Sequence, residues 1–84
     1  MKKITLIGIA ASSPLIQQVG RKETALLRIA VNKADFKGDK MAICDTPALV
    51  TRARLHVTQG THVAIEGEIS AAGRIFVLTM LIMK

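Results

Sequence analysis

Met41-Ala42-Ile43-Cys44-Asp45-Thr46-Pro47-Ala48-Leu49-Val50-Thr51-Arg52-Ala53-Arg54-Leu55-His56-Val57-Thr58-Gln59-Gly60 changes its period partway along, and the change decides the fold. Residues 41–45 suit a short strand. Thr46 then offers a hydroxyl that caps a first helical turn, and Pro47 falls at the first helical position, where its missing N–H costs nothing. Leu49, Val50, Ala53 and Val57 recur at helical spacing and make one apolar stripe. Arg52, Arg54 and His56 collect near the far end, where cations oppose the helix dipole favourably. Gly60 reads as the stop signal.

Both flanks of this helix alternate with the period of strands. Downstream, Val63, Ile65, Gly67 and Ile69 face one way and His62, Ala64, Glu66 and Glu68 the other, a strand over residues 61–70. Ala71-Ala72-Gly73 makes a minimal turn, and residues 74–83 form a last strand that is apolar on both faces, which predicts burial on both. Upstream, residues 3–11 set Ile4, Leu6 and Gly8 against Thr5, Ile7 and Ile9 as a first strand, ended by Ser12-Ser13-Pro14. Residues 15–22, with glutamines, Gly20 and two cations, read as a loop or wide hairpin connection. In the second strand, residues 23–33, Ala25, Leu27, Ile29 and Val31 alternate with Leu26, Arg28, Ala30 and Asn32, and the second set faces solvent or a ligand. Residues 34–40, charged on both sides of Gly38, read as a projecting hairpin loop. The order strand, strand, strand, helix, strand, strand predicts an all-β protein: a five-stranded OB-fold barrel with one short helix between strands three and four. Residues 1–84 have room for that single domain and no second core.

Composition narrows the function. Twelve Lys and Arg against six Asp and Glu give a net charge of +6, a positive field that attracts polyanions, nucleic acid first among them. Cys44 is the only cysteine, so no internal disulfide forms, and a reducing cytoplasm is the expected compartment. Met1-Lys2-Lys3 before an apolar run has the outline of a secretory leader, but the same residues serve as the first strand. No stretch reaches the ~20 apolar residues that cross a membrane as a helix. His56 and His62 have no spacing that joins them to a third metal ligand, and Asp35 and Asp39 lack the further oxygens of a calcium loop. Glu66 and Glu68 stand two apart on one strand face with no nucleophile near them in sequence. Neither an enzyme nor a bound metal or cofactor is expected.

Three stretches carry a family resemblance. Lys3-Ile4-Thr5-Leu6-Ile7-Gly8 resembles K/R-V-I-L-I-G, the usual opening strand of bacterial single-stranded-DNA-binding proteins. Leu27-Arg28-Ile29-Ala30-Val31-Asn32-Lys33 looks like that family's F-S-L-A-V-N-R, and Gln59-Gly60-Thr61-His62-Val63-Ala64-Ile65-Glu66-Gly67-Glu68-Ile69 is similar to its K-G-S-x-V-x-V-E-G-R-L. Cys44-Asp45-Thr46-Pro47 with Leu49 and Val50 looks like the C-x-x-P segment of a sister family, primosomal replication protein N (PriB). A helix after Thr46 is a feature of the first branch; a loop is expected there in the second. The resemblance implies a non-enzymatic single-stranded-DNA-binding protein of DNA replication, replication restart or repair, with replication-restart proteins as partners in the primosomal branch. It also shows departures. Lys40 and Thr46 stand where the larger family often has aromatics, leaving Phe36 and Phe76 as the candidate platforms, and the family's acidic tail is not expected after Met83-Lys84. A stacked base contributes ~1–3 kcal/mol, so cations have to compensate for the missing rings. The other reading is an OB subunit or adaptor that has lost DNA binding.

On an OB barrel the ligand lies across strands two and three and the loops between strands one and two and four and five. That selects Arg28 in mid-strand, Lys33 at the strand end, and Phe36, Lys37 and Lys40 in the projecting loop, with Lys3, Arg21, Lys22 and Arg74 at the edges. The cations neutralise phosphates; Phe36 offers a face to a base, while Phe76 reads as core. The apolar last strand predicts a homo-oligomer, a dimer or tetramer.

Overall fold

Inward-pointing aliphatic residues on five strands close around one another into a barrel in the computed structural model, which describes residues 2–31 and 39–83. The strands are β1 (Lys2–Ala10), β2 (Leu15–Val19), β3 (Lys22–Ala30), β4 (Asp39–Cys44), β5 (His62–Ile69) and β6 (Ile75–Met83), with the helix α1 (Pro47–His56) between β4 and β5. The sheet runs β1-β5-β6-β4-β3, and β1 returns to β3 through Ile9↔Ala30 and Ala10↔Ile29, which closes the ring. Among the described residues only β4 and β6 pair in parallel. This is the OB barrel, with its helix where the sequence placed it.

Leu6, Leu27, Ile29, Val63, Ile65 and Ile75 fill the interior, and Ala25 and Ala42 keep it narrow. Of the stripe read from the sequence, Leu49, Val50 and Ala53 on α1 and Val57 at its C-cap are all buried in the core. Thr46 caps the helix as expected: its Oγ1 accepts the N–H of Leu49 at 3.4 Å, with Pro47 in the first turn. The helix ends before Gly60, however. Val57 turns to an extended conformation while its N–H still reaches the Ala53 carbonyl at 3.1 Å. Gly60, at φ 92°, instead steers the chain into β5, and its N–H meets the Ala10 carbonyl at 2.8 Å.

Two sequence expectations are corrected. Residues 15–19, read as part of a loop or wide connection, form β2, a strand laid against β3 by a tight hairpin whose closing pair is Val19↔Lys22. Gly20, at φ 62°, supplies the turn conformation that makes so short a connection possible. The last strand, expected to be buried on both faces, is not. A bulge opposite Glu66 and Gly67 inserts Leu78, so Ile75 and Val77 point inward before it and Met80 after it. Leu78 and Leu81 are left 53% and 61% exposed. A one-residue phase change therefore makes a strand with one buried side read as apolar throughout.

Among the described residues no polar or charged side chain is buried. Cys44 is fully enclosed, and burial, helped by the negative charge of Asp45, pushes its thiol up to about 11. It stays protonated and packs as a small apolar group.

Candidate nucleic-acid interface

Alternation along β3 decides which side chains face outward. Ala25, Leu27 and Ile29 point into the barrel, so Leu26 and Arg28 stand on its outside. The β3–β4 register sets Arg28 opposite Met41 and Leu26 opposite Ile43. Leu15 on β2 lies against Leu26, and Phe76 on β6 lies against Ile43. Leu15, Leu26, Ile43 and Phe76 thus form one apolar row across four strands, with Arg28 and Met41 in the next row. Ser12, Ser13, Leu15, Leu26, Arg28 and Met41 line a shallow groove of about 180 Å³ along this face.

Arg28 is held from both ends. Its carbonyl accepts the Ala11 N–H at 2.8 Å, fixing β3 against the end of β1. Its Nε lies 3.9 Å from Asp39 Oδ2, with both side chains about half exposed. An exposed pair at that separation contributes at most ~1 kcal/mol, so a phosphate can take the guanidinium over at small cost.

Arg74 joins it. The residue sits in the turn before β6, where its N–H reaches Ser70 Oγ at 3.2 Å and its carbonyl accepts the Ser70 N–H at 2.8 Å. β6 runs parallel to β4 with Ile75 beside Ala42, which puts Arg74 one residue before the first paired position. Arg28 thus pairs with Met41, and Arg74 immediately precedes the β6 residue that pairs with the next position, Ala42.

The other expected residues separate from this pair. Lys40 belongs to β4 rather than to a loop; it lies opposite Ile29, in phase with the buried Ala42 and Cys44, and is half-buried. Lys3 stands on β1 opposite Glu68, at the far end of that strand from Ile9, the residue that meets β3. Lys22 pairs with Asp45 at 3.7 Å beside the hairpin turn that holds Arg21. Lys33, Phe36 and Lys37 lie outside the described residues. Arg54, set aside in the sequence as a dipole partner, clasps Glu23 at 2.6 Å and ties α1 to β3.

Phe76, read as core, is half-buried on the outer surface, because Ile75 and Val77 take the inward places on either side of it. Leu26 faces outward with Arg28, as the alternation of that strand predicts, whereas Leu15, Met41 and Ile43 were not singled out in the sequence. The available signal was their alternation with buried residues on either side of Arg28. Glu66 and Glu68 face outward on β5, and the described residues contain no group of three or more acidic, His or Cys side chains that could hold a metal. No helix among the described residues is long and apolar enough to cross a membrane.

No protein-family model and no curated protein matches the sequence. Solved structures do resemble it. Two crystal structures of Rim1, the mitochondrial single-stranded DNA binding protein of S. cerevisiae, superpose on it, the first with selenomethionine. The first gives a TM-score of 0.87 at 13% identity over 99% of this chain and 94% of that one; the second gives 0.84 at 13% over 98% and 93%. At that identity the likeness is one of architecture: the chain is similar to these proteins in its OB barrel.

Proposed function

We propose that the protein binds single-stranded DNA without chemistry, along the outer face of β3, β4 and the start of β6. The observation that carries this reading is the outward placement of Arg28 opposite Met41, next to the apolar row that ends in Phe76, with Arg74 just before the paired start of β6. Guanidinium groups neutralise phosphates, while the row offers a dry surface and one aromatic ring to the bases. The net charge of +6 draws a polyanion to the molecule, and the fold is shared with proteins named for binding single-stranded DNA. Replication, replication restart or repair in the cytoplasm is the setting where such an activity is used. The helix after Thr46 favours the single-stranded-DNA-binding branch over the primosomal one.

Fluorescence anisotropy of end-labelled oligo-dT with duplex competitor tests this reading; the label sits on the DNA because the protein has no Trp or Tyr. Binding is expected to survive excess duplex and to weaken with salt by ~0.7 in log affinity per log salt for each phosphate contacted. Equal affinity for duplex, or none for either, leaves the OB adaptor as the reading.

The same proposal includes a homo-oligomer, a dimer or tetramer. On the outside of β1, β5 and β6 the residues Ile7, Ala64 and Leu81 align in register, with Ile7 53% and Leu81 61% exposed. A second copy placed there covers them. Leu81→Glu is expected to lower the sedimenting mass without changing the circular dichroism spectrum; an unchanged mass would remove this face from the assembly.

A further inference from the structure

The sheet has an edge that the barrel does not close. β2 pairs with β3 on one side and with nothing described on the other. Exposed edges are usually blunted by charge, proline or a bulge, because their unpaired backbone groups recruit another strand. None of these devices lies within Leu15-Ile16-Gln17-Gln18-Val19, which is uncharged in a chain of net charge +6. Pro14 and Gly20 bound it instead, leaving a pairing window of five residues.

We propose that β2 pairs antiparallel with β2 of a second copy of this chain, about a two-fold axis that passes through Gln17. Three features of the strand meet in this register. The first is backbone parity. Val19↔Lys22 closes the hairpin, and in an antiparallel ladder the hydrogen-bonded pairs alternate from there, so Leu15, Gln17 and Val19 direct their backbone groups at β3. Those of Ile16 and Gln18 turn to the open edge. Centring on Gln17 sets Ile16 of each copy opposite Gln18 of the other, and that is the register in which all these outward groups find partners.

The second feature is side-chain self-complementarity. Leu15, Gln17 and Val19 are exposed on one face. Across the axis Leu15 meets Val19 and Gln17 meets itself, giving two apolar pairs around one amide pair. The third is charge. Continuing the register puts Arg21 opposite Ser13 and Lys22 opposite Ser12, so no cation faces a cation although both bodies are strongly basic. The two-fold pairing uses this edge once from each copy, so the contact closes as a pair. This inference stands independently of the DNA-binding reading.

Disulfide capture tests it in the absence of DNA. Two residues facing each other at a non-hydrogen-bonded antiparallel position have Cα atoms about 4.5 Å apart, within disulfide range. Gln17→Cys is expected to give a covalent dimer under mild oxidation roughly 100-fold faster than Thr51→Cys, an exposed helix position, when ~10 μM chain competes with a millimolar effective concentration. The native Cys44 is fully buried and does not interfere. Equal rates for the two variants would overturn the proposal, provided circular dichroism shows both folded. A charge pair guards against trapping of chance encounters. Gln17→Lys and Gln17→Glu each place like charges on the axis and are expected to lower the oligomer mass, which their mixture restores. A mass unaffected by either variant, alone or mixed, would also overturn it. Association through the face of Leu81 does not bring residue 17 to itself, so the two contacts are read separately.

Discussion

Gly67→Ala is expected to cost about 3 kcal/mol or more and to lower the melting temperature by roughly 12–24 °C. Gly67 is buried in β5 at the point where β6 bulges around it. A methyl group added there would lie 2.2 Å from the Phe76 carbonyl oxygen, 3.1 Å from the Phe76 carbonyl carbon and 3.2 Å from Val77 Cα. All three are backbone atoms, so no side chain can swing aside; β5 and β6 have to separate. A chain of this size has roughly 4–13 kcal/mol of stability in total, and the loss is a large share of it. Gly73 is the control. It has φ 83° but open space around its missing Cβ, so alanine there carries only the conformational cost of about 1 kcal/mol. Thermal unfolding followed by circular dichroism compares the two. A Gly67→Ala protein melting within a few degrees of the parent would mean that β5 and β6 do not approach as closely as described.

Arg28→Glu is expected to weaken oligo-dT binding by roughly 10- to 100-fold at low salt, or about 1.4–2.7 kcal/mol, and to reduce the salt slope by ~0.7 or more. The change removes one phosphate contact and places a second carboxylate next to Asp39 on the same face. Net charge alone explains only part of this, and Arg52→Glu separates the two effects. Arg52 is exposed on α1, where it lines a pocket with His62 and Met83, and its reversal changes the total charge equally. A drop of only a few-fold is expected for it. If both variants lose affinity equally, binding follows the overall field and Arg28 has no special position.

The architecture was legible in the sequence because each of its main elements repeats with its own period. Thr46-Pro47, the stripe from Leu49 to Val57, and the alternation on either side are local signals, and local signals survive without knowledge of the neighbours. What the sequence hid depends on partners. β2 has glutamines at its centre and becomes a strand only through its hairpin with β3. The exposure of Leu78 and Leu81 follows from a bulge that no pattern along β6 announces. Arg28 was visible as a candidate because a cation in mid-strand breaks the apolar alternation. Arg74 was placed at the edge of the site, and only the parallel pairing of β6 with β4 brings the start of β6 next to β4. Phe76 looked like core for the same reason as Leu81: on a strand of consecutive apolar residues, inside and outside cannot be told apart from composition. Lys40 was assigned to a loop, but β4 begins at Asp39 and turns it away from the outer phase.

The central claim is that single-stranded DNA lies across the outer face of β3, β4 and the start of β6. Backbone amide chemical shifts of the isotope-labelled protein, recorded as oligo-dT is added, locate the strand directly. The account predicts the largest shifts at Leu26, Arg28, Met41, Ile43, Arg74 and Phe76, with the amides of α1 little changed. Shifts concentrated on α1 or on the outer face of β1 and β5, with β3 and β4 unperturbed, would contradict it.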